Sequence, residues 1–125
     1  MTRVKGILRD NYRVENISRE FHWFSDEPEE IGGLNTGPKP SELFLSALSS
    51  CKLITMRMYA ERKDWDISDL TIDLQIIEVE EKVIISKKIN FPDHLNENQK
   101  NRLAEISGRC PVARMVQDSV EYIFV

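Results

Sequence analysis

The sequence is short of most features that would announce a function. Two cysteines in 125 residues are too few for a secreted disulfide scaffold, and in a reducing compartment they are expected to rest as thiols. There are only two histidines and no CxxC or HxxxH spacing. A metal site built from Cys51, Cys110, His22 and His94 is therefore conceivable by ligand type but unsupported by pattern. Positive charge is not in excess: 17 Lys and Arg are scattered among 21 Asp and Glu, for a net charge of −4. No basic face for nucleic acid can be read from that balance. No apolar run approaches membrane-spanning length. Met1-Thr2-Arg3-Val4-Lys5 leads through Gly6-Ile7-Leu8 into charged residues, without the apolar core of a signal peptide. There is no internal repeat and no low-complexity segment. The expectation is a cytoplasmic chain without cofactor, metal, nucleic-acid or membrane partner.

What is present is ordinary globular composition, 41% hydrophobic and 30% charged. A chain of this length has room for one domain, 1–125, burying roughly two-thirds of its unfolded surface. Residues 1–25 read as a β meander: Thr2 to Leu8, Tyr12 to Ile17 and Glu20 to Ser25, with Asp10-Asn11 as a turn. From 26 to 40, Pro28, Gly32, Gly33, Asn35, Gly37, Pro38 and Pro40 leave no room for a helix. Ser41 can cap a long helix over 41–62, about 30 Å in length. Apolar and small residues lie nearly all round it from Leu43 to Ile54, which predicts burial on most sides. Ser46, Ser49 and Ser50 line one face, suited either to a close partner helix or to packing under a sheet.

A hairpin is expected over 66–91. Leu70 to Ile76 alternates as a strand with one wet face does, and Val83 to Phe91 follows across Glu80-Glu81-Lys82. In this second strand Val83, Ile85, Ile89 and Phe91 share a face that Lys87 interrupts. Asn96 and Gln99 form a capping box for a helix over 96–107 that Gly108 closes. Cys110-Pro111 fits the cap and first position of a helix over 111–118, with Val112, Met115 and Val116 inward. The chain ends in a strand over 119–125.

Two segments carry a resemblance. One is Gly32-Gly33-Leu34-Asn35-Thr36-Gly37-Pro38-Lys39-Pro40-Ser41-Glu42-Leu43, followed by Cys51 inside the long helix and the run Thr55 to Trp65. The other is Arg109-Cys110-Pro111-Val112. At this separation they resemble the family of OsmC and the organic hydroperoxide resistance proteins. The resemblance implies an α+β fold with antiparallel sheets wrapped around a long central helix, in an intertwined homodimer whose cysteines meet near the interface. It also implies a thiol-dependent reductase: Cys51 attacks an organic hydroperoxide, Cys110 resolves the sulfenic acid to a disulfide, and an external dithiol reduces it. Phe44, Leu48 and Ile54 would give Cys51 apolar surroundings.

The chemistry demands more than two sulfurs. Burial in an apolar helix disfavours the thiolate, which is the attacking form. In the family's peroxidases an Arg from the loop before the long helix, held by a Glu ten residues ahead of the first cysteine, offsets that. Here Ser41 occupies the position ten ahead of Cys51, and Glu42 is turned about 100° from it. The loop 26–40 contains no Arg. Arg9, Arg13, Arg19, Arg57 and Arg109 are the possible substitutes, and a cysteine at a helix start favours Cys110 as the more acidic thiol. The competing reading is a non-catalytic dimeric module that binds an apolar small molecule or partner at the interface, its cysteines serving as packing.

Overall fold

Turn-forming residues set at short intervals break the first 25 residues into three strands. In a computed structural model that describes residues 2–79, 81–117 and 120–125, these are β1 (Lys5–Leu8), β2 (Val14–Ser18) and β3 (Phe21–Ser25), an antiparallel sheet in chain order. Asn11 and Arg19, both at φ 53°, make the two reversals. At the first, the Arg13 N–H donates to the Asp10 carbonyl at 3.0 Å. The strands begin later than the sequence suggests, since Thr2 to Val4 form no ladder.

The chain divides into two compact units, Met1–Phe44 and Leu45–Val125. In the first, the loop after β3 holds only one 3-10 turn, Glu29–Ile31, ended by Gly32 at φ 101°. Its organiser is Asp26, which is buried. One carboxylate oxygen accepts the Glu27 N–H at 2.8 Å, and the other accepts the Thr36 N–H at 3.1 Å and the Thr36 hydroxyl at 2.6 Å. These bonds favour the anion, so the Thr36 hydroxyl above all holds the carboxyl below the ordinary 3.8 despite its burial. Gly33 is required nearby, because a Cβ there would collide with the Glu27 backbone.

The long helix, α1, runs from Pro40 to Arg62. Proline suits a first helical position, where its missing N–H costs nothing. The start is one residue earlier than expected and Ser41 is not the cap; instead the Glu42 carboxylate accepts the Lys39 N–H at 2.9 Å. Nor is α1 buried on most sides. Leu48, Lys52, Met56 and Ala60 are buried at a strict four-residue spacing, while Ala47, Ser50, Ile54 and Met58 are exposed. Within the second unit only one face of this helix is walled.

In the second unit, β4 (Thr71–Val79) pairs antiparallel with β5 (Lys82–Asn90). The expected turn falls partly on Glu80, outside the described residues. Ile72, Leu74 and Ile76 are half-buried while Thr71, Asp73 and Gln75 face water, as the alternation predicts. Helix α2 (Glu97–Ser107) opens on a complete capping box: the Asn96 side chain accepts the Gln99 N–H at 2.8 Å and the Gln99 side chain accepts the Asn96 N–H at 2.9 Å. Gly108 caps its end, and α3 (Pro111–Gln117) follows.

Met56, Ala60, Ile67, Leu95, Leu103 and Ile106 form the core, with Leu53, Tyr59, Trp65, Leu70, Ile89 and Phe91 packed against it. Burying side chains such as Met56 and Leu103 stabilises by about 1.5–3 kcal/mol each. Two expectations fail. In α3 it is Ala113 that is buried, while Met115 and Val116 are exposed, because so short a helix turns only one residue fully inward. Residues 120–125 form no strand and pair with neither sheet; Ser119, where the expected strand begins, and Asp118, where the expected last helix ends, lie outside the described residues. No helix among the described residues is long and apolar enough to cross a membrane.

Candidate active site

The four-residue spacing that buries Leu48 and Met56 on α1 also turns Lys52 inward, so that an ammonium enters the protein on the core face of its longest helix. Its stem lies among apolar neighbours, as long cationic side chains allow. The residue is 9% exposed. Its Nζ donates to the Ser107 carbonyl at 3.1 Å and stands 3.9 Å from the Cys110 sulfur. Ser107 ends α2, where the last carbonyls lack intrahelical partners and a cation is favoured.

Cys110 is wholly buried and forms a small cluster with Leu48 and Ala113. Cys51 is half-buried and packs against this cluster, together with Leu45, Leu74, Ile85 and Val112. The two sulfurs that the sequence singles out therefore share one apolar neighbourhood, as free thiols. Of the expected apolar surroundings of Cys51, Leu48 is buried, but Phe44 and Ile54 are exposed.

A second lysine reaches the same place from the hairpin. The Lys87 Nζ donates to the Ser107 hydroxyl at 2.9 Å, and that hydroxyl donates to the Ala104 carbonyl at 2.6 Å. Partial burial, and then the neighbouring Lys52 ammonium, hold Lys87 below the ordinary 10.5, while negative charge on Cys110 acts the other way. Lys52 and Lys87 also border a cleft of about 250 Å³ whose apolar wall is Leu48, Leu74, Ile85, Ala113 and Val116.

The arginines have other work. Arg9 pairs with Glu15 at 2.7 Å, Arg13 lies over the Phe24 ring at 3.9 Å, and Arg19 lies over Phe21 at 5.0 Å. Arg109 pairs with Glu105 at 2.8 Å, and Arg57 is exposed. Within the second unit and among the described residues, neither Arg57 nor Arg109 makes a hydrogen bond to either sulfur. His22 lies on β3 beside Glu15 at 3.8 Å, and the His94 Nε2 is 2.7 Å from the Asp66 carbonyl oxygen. Among the described residues no group of three His, Cys, Asp or Glu could hold a metal ion.

Lys52 and Lys87 escape a search for motifs, since neither belongs to one. Each nevertheless breaks a pattern: Lys52 is the one charge between Leu43 and Ile54, and Lys87 interrupts the apolar face of β5. Both interruptions lead to Ser107.

A meander, a long helix bearing one thiol, a hairpin and a second thiol between two short helices define a class of small α+β thiol proteins. The chain belongs to the OsmC-like protein family, whose model matches residues 33–123. Solved structures agree in fold. A Psychrobacter arcticus protein assigned to osmotic stress and detoxification response is 22% identical with a TM-score of 0.78, over 91% of this chain and 87% of its own. An OsmC-like protein of Mycoplasma pneumoniae is 21% identical with a TM-score of 0.73, over 94% and 87%. The organic hydroperoxide resistance protein OsmC of Legionella pneumophila is 20% identical with a TM-score of 0.70, over 94% and 89%. No curated protein matches the sequence.

Proposed function

We propose that this chain is a thiol-dependent reductase of organic hydroperoxides, acting as a homodimer in the cytoplasm, with Cys51 as the attacking sulfur and Cys110 as the resolving one. The observation that carries the reading is the packing of Cys51 against the cluster that contains Cys110, with an ammonium 3.9 Å from the second sulfur. Cys51 is the more accessible of the two, which suits the sulfur that meets substrate.

The Cys51 thiolate attacks the distal peroxide oxygen, the O–O bond breaks, and the alkoxide leaves and takes up a proton as the alcohol. Sulfur is left as sulfenic acid. Cys110 condenses with it, releasing water, and an external dithiol reduces the disulfide. Leu48, Leu74 and Ile85 beside the cysteines favour an apolar peroxide over hydrogen peroxide.

Stopped-flow turnover of cumene or t-butyl hydroperoxide with a dithiol tests the proposal. Turnover should far exceed that of free thiol and vanish in Cys51→Ser; a rate no faster than free thiol sinks it. A second reading, an apolar-ligand module, is favoured by the cleft, whose walls are supplied by other residues than the cysteines. It requires ligand binding to survive replacement of Cys51 by Ser and Cys110 by Ala.

A further inference from the structure

We infer that Lys52 is a positioning residue for the closing of the disulfide, its ammonium holding Cys110 as the thiolate; the reaction it serves rests on the reductase reading above. A nearly buried ammonium is costly unless charge or hydrogen bonds compensate it. The partners of Lys52 are one neutral carbonyl, on Ser107, and one sulfur, on Cys110. Among the described residues no carboxylate lies within ion-pair distance of it. The carbonyl satisfies a hydrogen bond but neutralises no charge, and the group within reach that can carry a negative charge is the Cys110 sulfur.

The charged groups about Cys110 act together. Lys52 comes from α1, and Lys87 comes from β5 and bonds to the Ser107 hydroxyl. Arg109, the residue before Cys110, is occupied by Glu105. Lys52 follows Cys51 directly in sequence, but one residue turns a helix by about 100°, so its stem runs along the buried face that leads to Cys110. The long helix thus carries the accessible sulfur on one flank and the counter-ion of the other sulfur on the next.

In the step served, the Cys110 thiolate attacks the sulfenic sulfur of Cys51. An S–S bond forms, the S–O bond breaks, and the departing hydroxide takes a proton from solvent to become water. Cys110 is oxidised and Cys51 reduced in the same event, and the hydroperoxide has already supplied the oxidising equivalents.

Ultraviolet thiolate absorbance in Cys51→Ala protein reads the Cys110 anion without need of access to the buried sulfur. At neutral pH the signal should fall several-fold when Lys52→Met is added. Lys52→Arg should retain it, and the deficit should shrink as pH rises and thiols ionise unaided. With both cysteines present, one equivalent of cumene hydroperoxide should be followed by disulfide closure that is several-fold slower in Lys52→Met than in the parent. A thiolate signal indifferent to Lys52→Met overturns the inference, whatever the peroxide result. A signal that depends on Lys52, in a protein that forms no sulfenic acid, supports the electrostatic role and overturns the reductase reading alone.

Discussion

Single residues whose chemistry contradicts their surroundings mark this protein's organised places. Asp26 is a buried carboxylate in a loop of glycines and prolines, where Glu27, Glu29 and Glu30 are its fellow acids in the sequence. Its role lies in Thr36, which donates to it twice, a pairing ten residues apart that no spacing rule records. Because its folded pKa lies below the unfolded 3.8, its stabilisation is fully present above 3.8 and is lost as pH falls through the lower, folded value. Asp26→Asn should therefore be less stable than the parent at neutral pH, and the two should converge on strong acidification. Urea titrations across that range check this, and a gap constant down to the lowest pH would refute it. Lys87 has the opposite sign. A lysine depressed below 10.5 leaves the unfolded chain holding more protons between the folded value and 10.5. Stability from this site rises with pH across that alkaline window. Lys87→Met should lose that rise, read from the same titrations as a flatter alkaline limb.

At the scale of elements, local pattern was a good guide where both partners of an interaction lie close in sequence. The capping box at Asn96 and Gln99 and the alternation of Leu70 to Ile76 are of that kind, and the structure contains both. Asn96→Ala should cost about 1 kcal/mol, the usual worth of such a cap, seen as a lower urea midpoint at unchanged slope. An unchanged midpoint would mean that α2 is held by the packing of Leu103 and Ile106 alone. Pattern misled where the wall of an element comes from elsewhere. From Leu43 to Ile54 the long helix reads as apolar or small nearly all round, and the structure buries only the 48, 52, 56 and 60 positions of the helix. The candidate site followed the same division. Cys51 and Cys110 were legible because each sits in a recognisable local motif. Lys52, Lys87 and Ser107 were not, because their meeting depends on how α1, β5 and α2 pack, and no spacing along the chain records that. The seven-residue helix after Cys110 was the expected source of favourable charge; the structure also sets the Lys52 ammonium 3.9 Å from the sulfur.

At the largest scale, the second unit keeps apolar surface that its own elements do not cover. Ala47, Ser50, Ile54 and Met58 recur three and four residues apart along the outer face of α1, a stripe narrow enough for another helix to approach closely. Val120, Tyr122, Ile123 and Phe124 are exposed as well, a strand's composition without a strand's neighbour. A second copy of the chain would meet both needs, burying the stripe against its own α1 and giving residues 120–125 an edge to pair with. Sedimentation should then read a mass near twice the 14.6 kDa of one chain. Placing two like charges on the stripe, as Ile54→Glu with Met58→Glu, should return it toward one chain, since each buried carboxylate would lack a partner. Neither side chain belongs to the core around Leu103, so the secondary structure seen by circular dichroism should survive in the separated chain. A parent protein that sediments as a single chain would refute the dimer while leaving the thiol site, which lies within one chain, untouched.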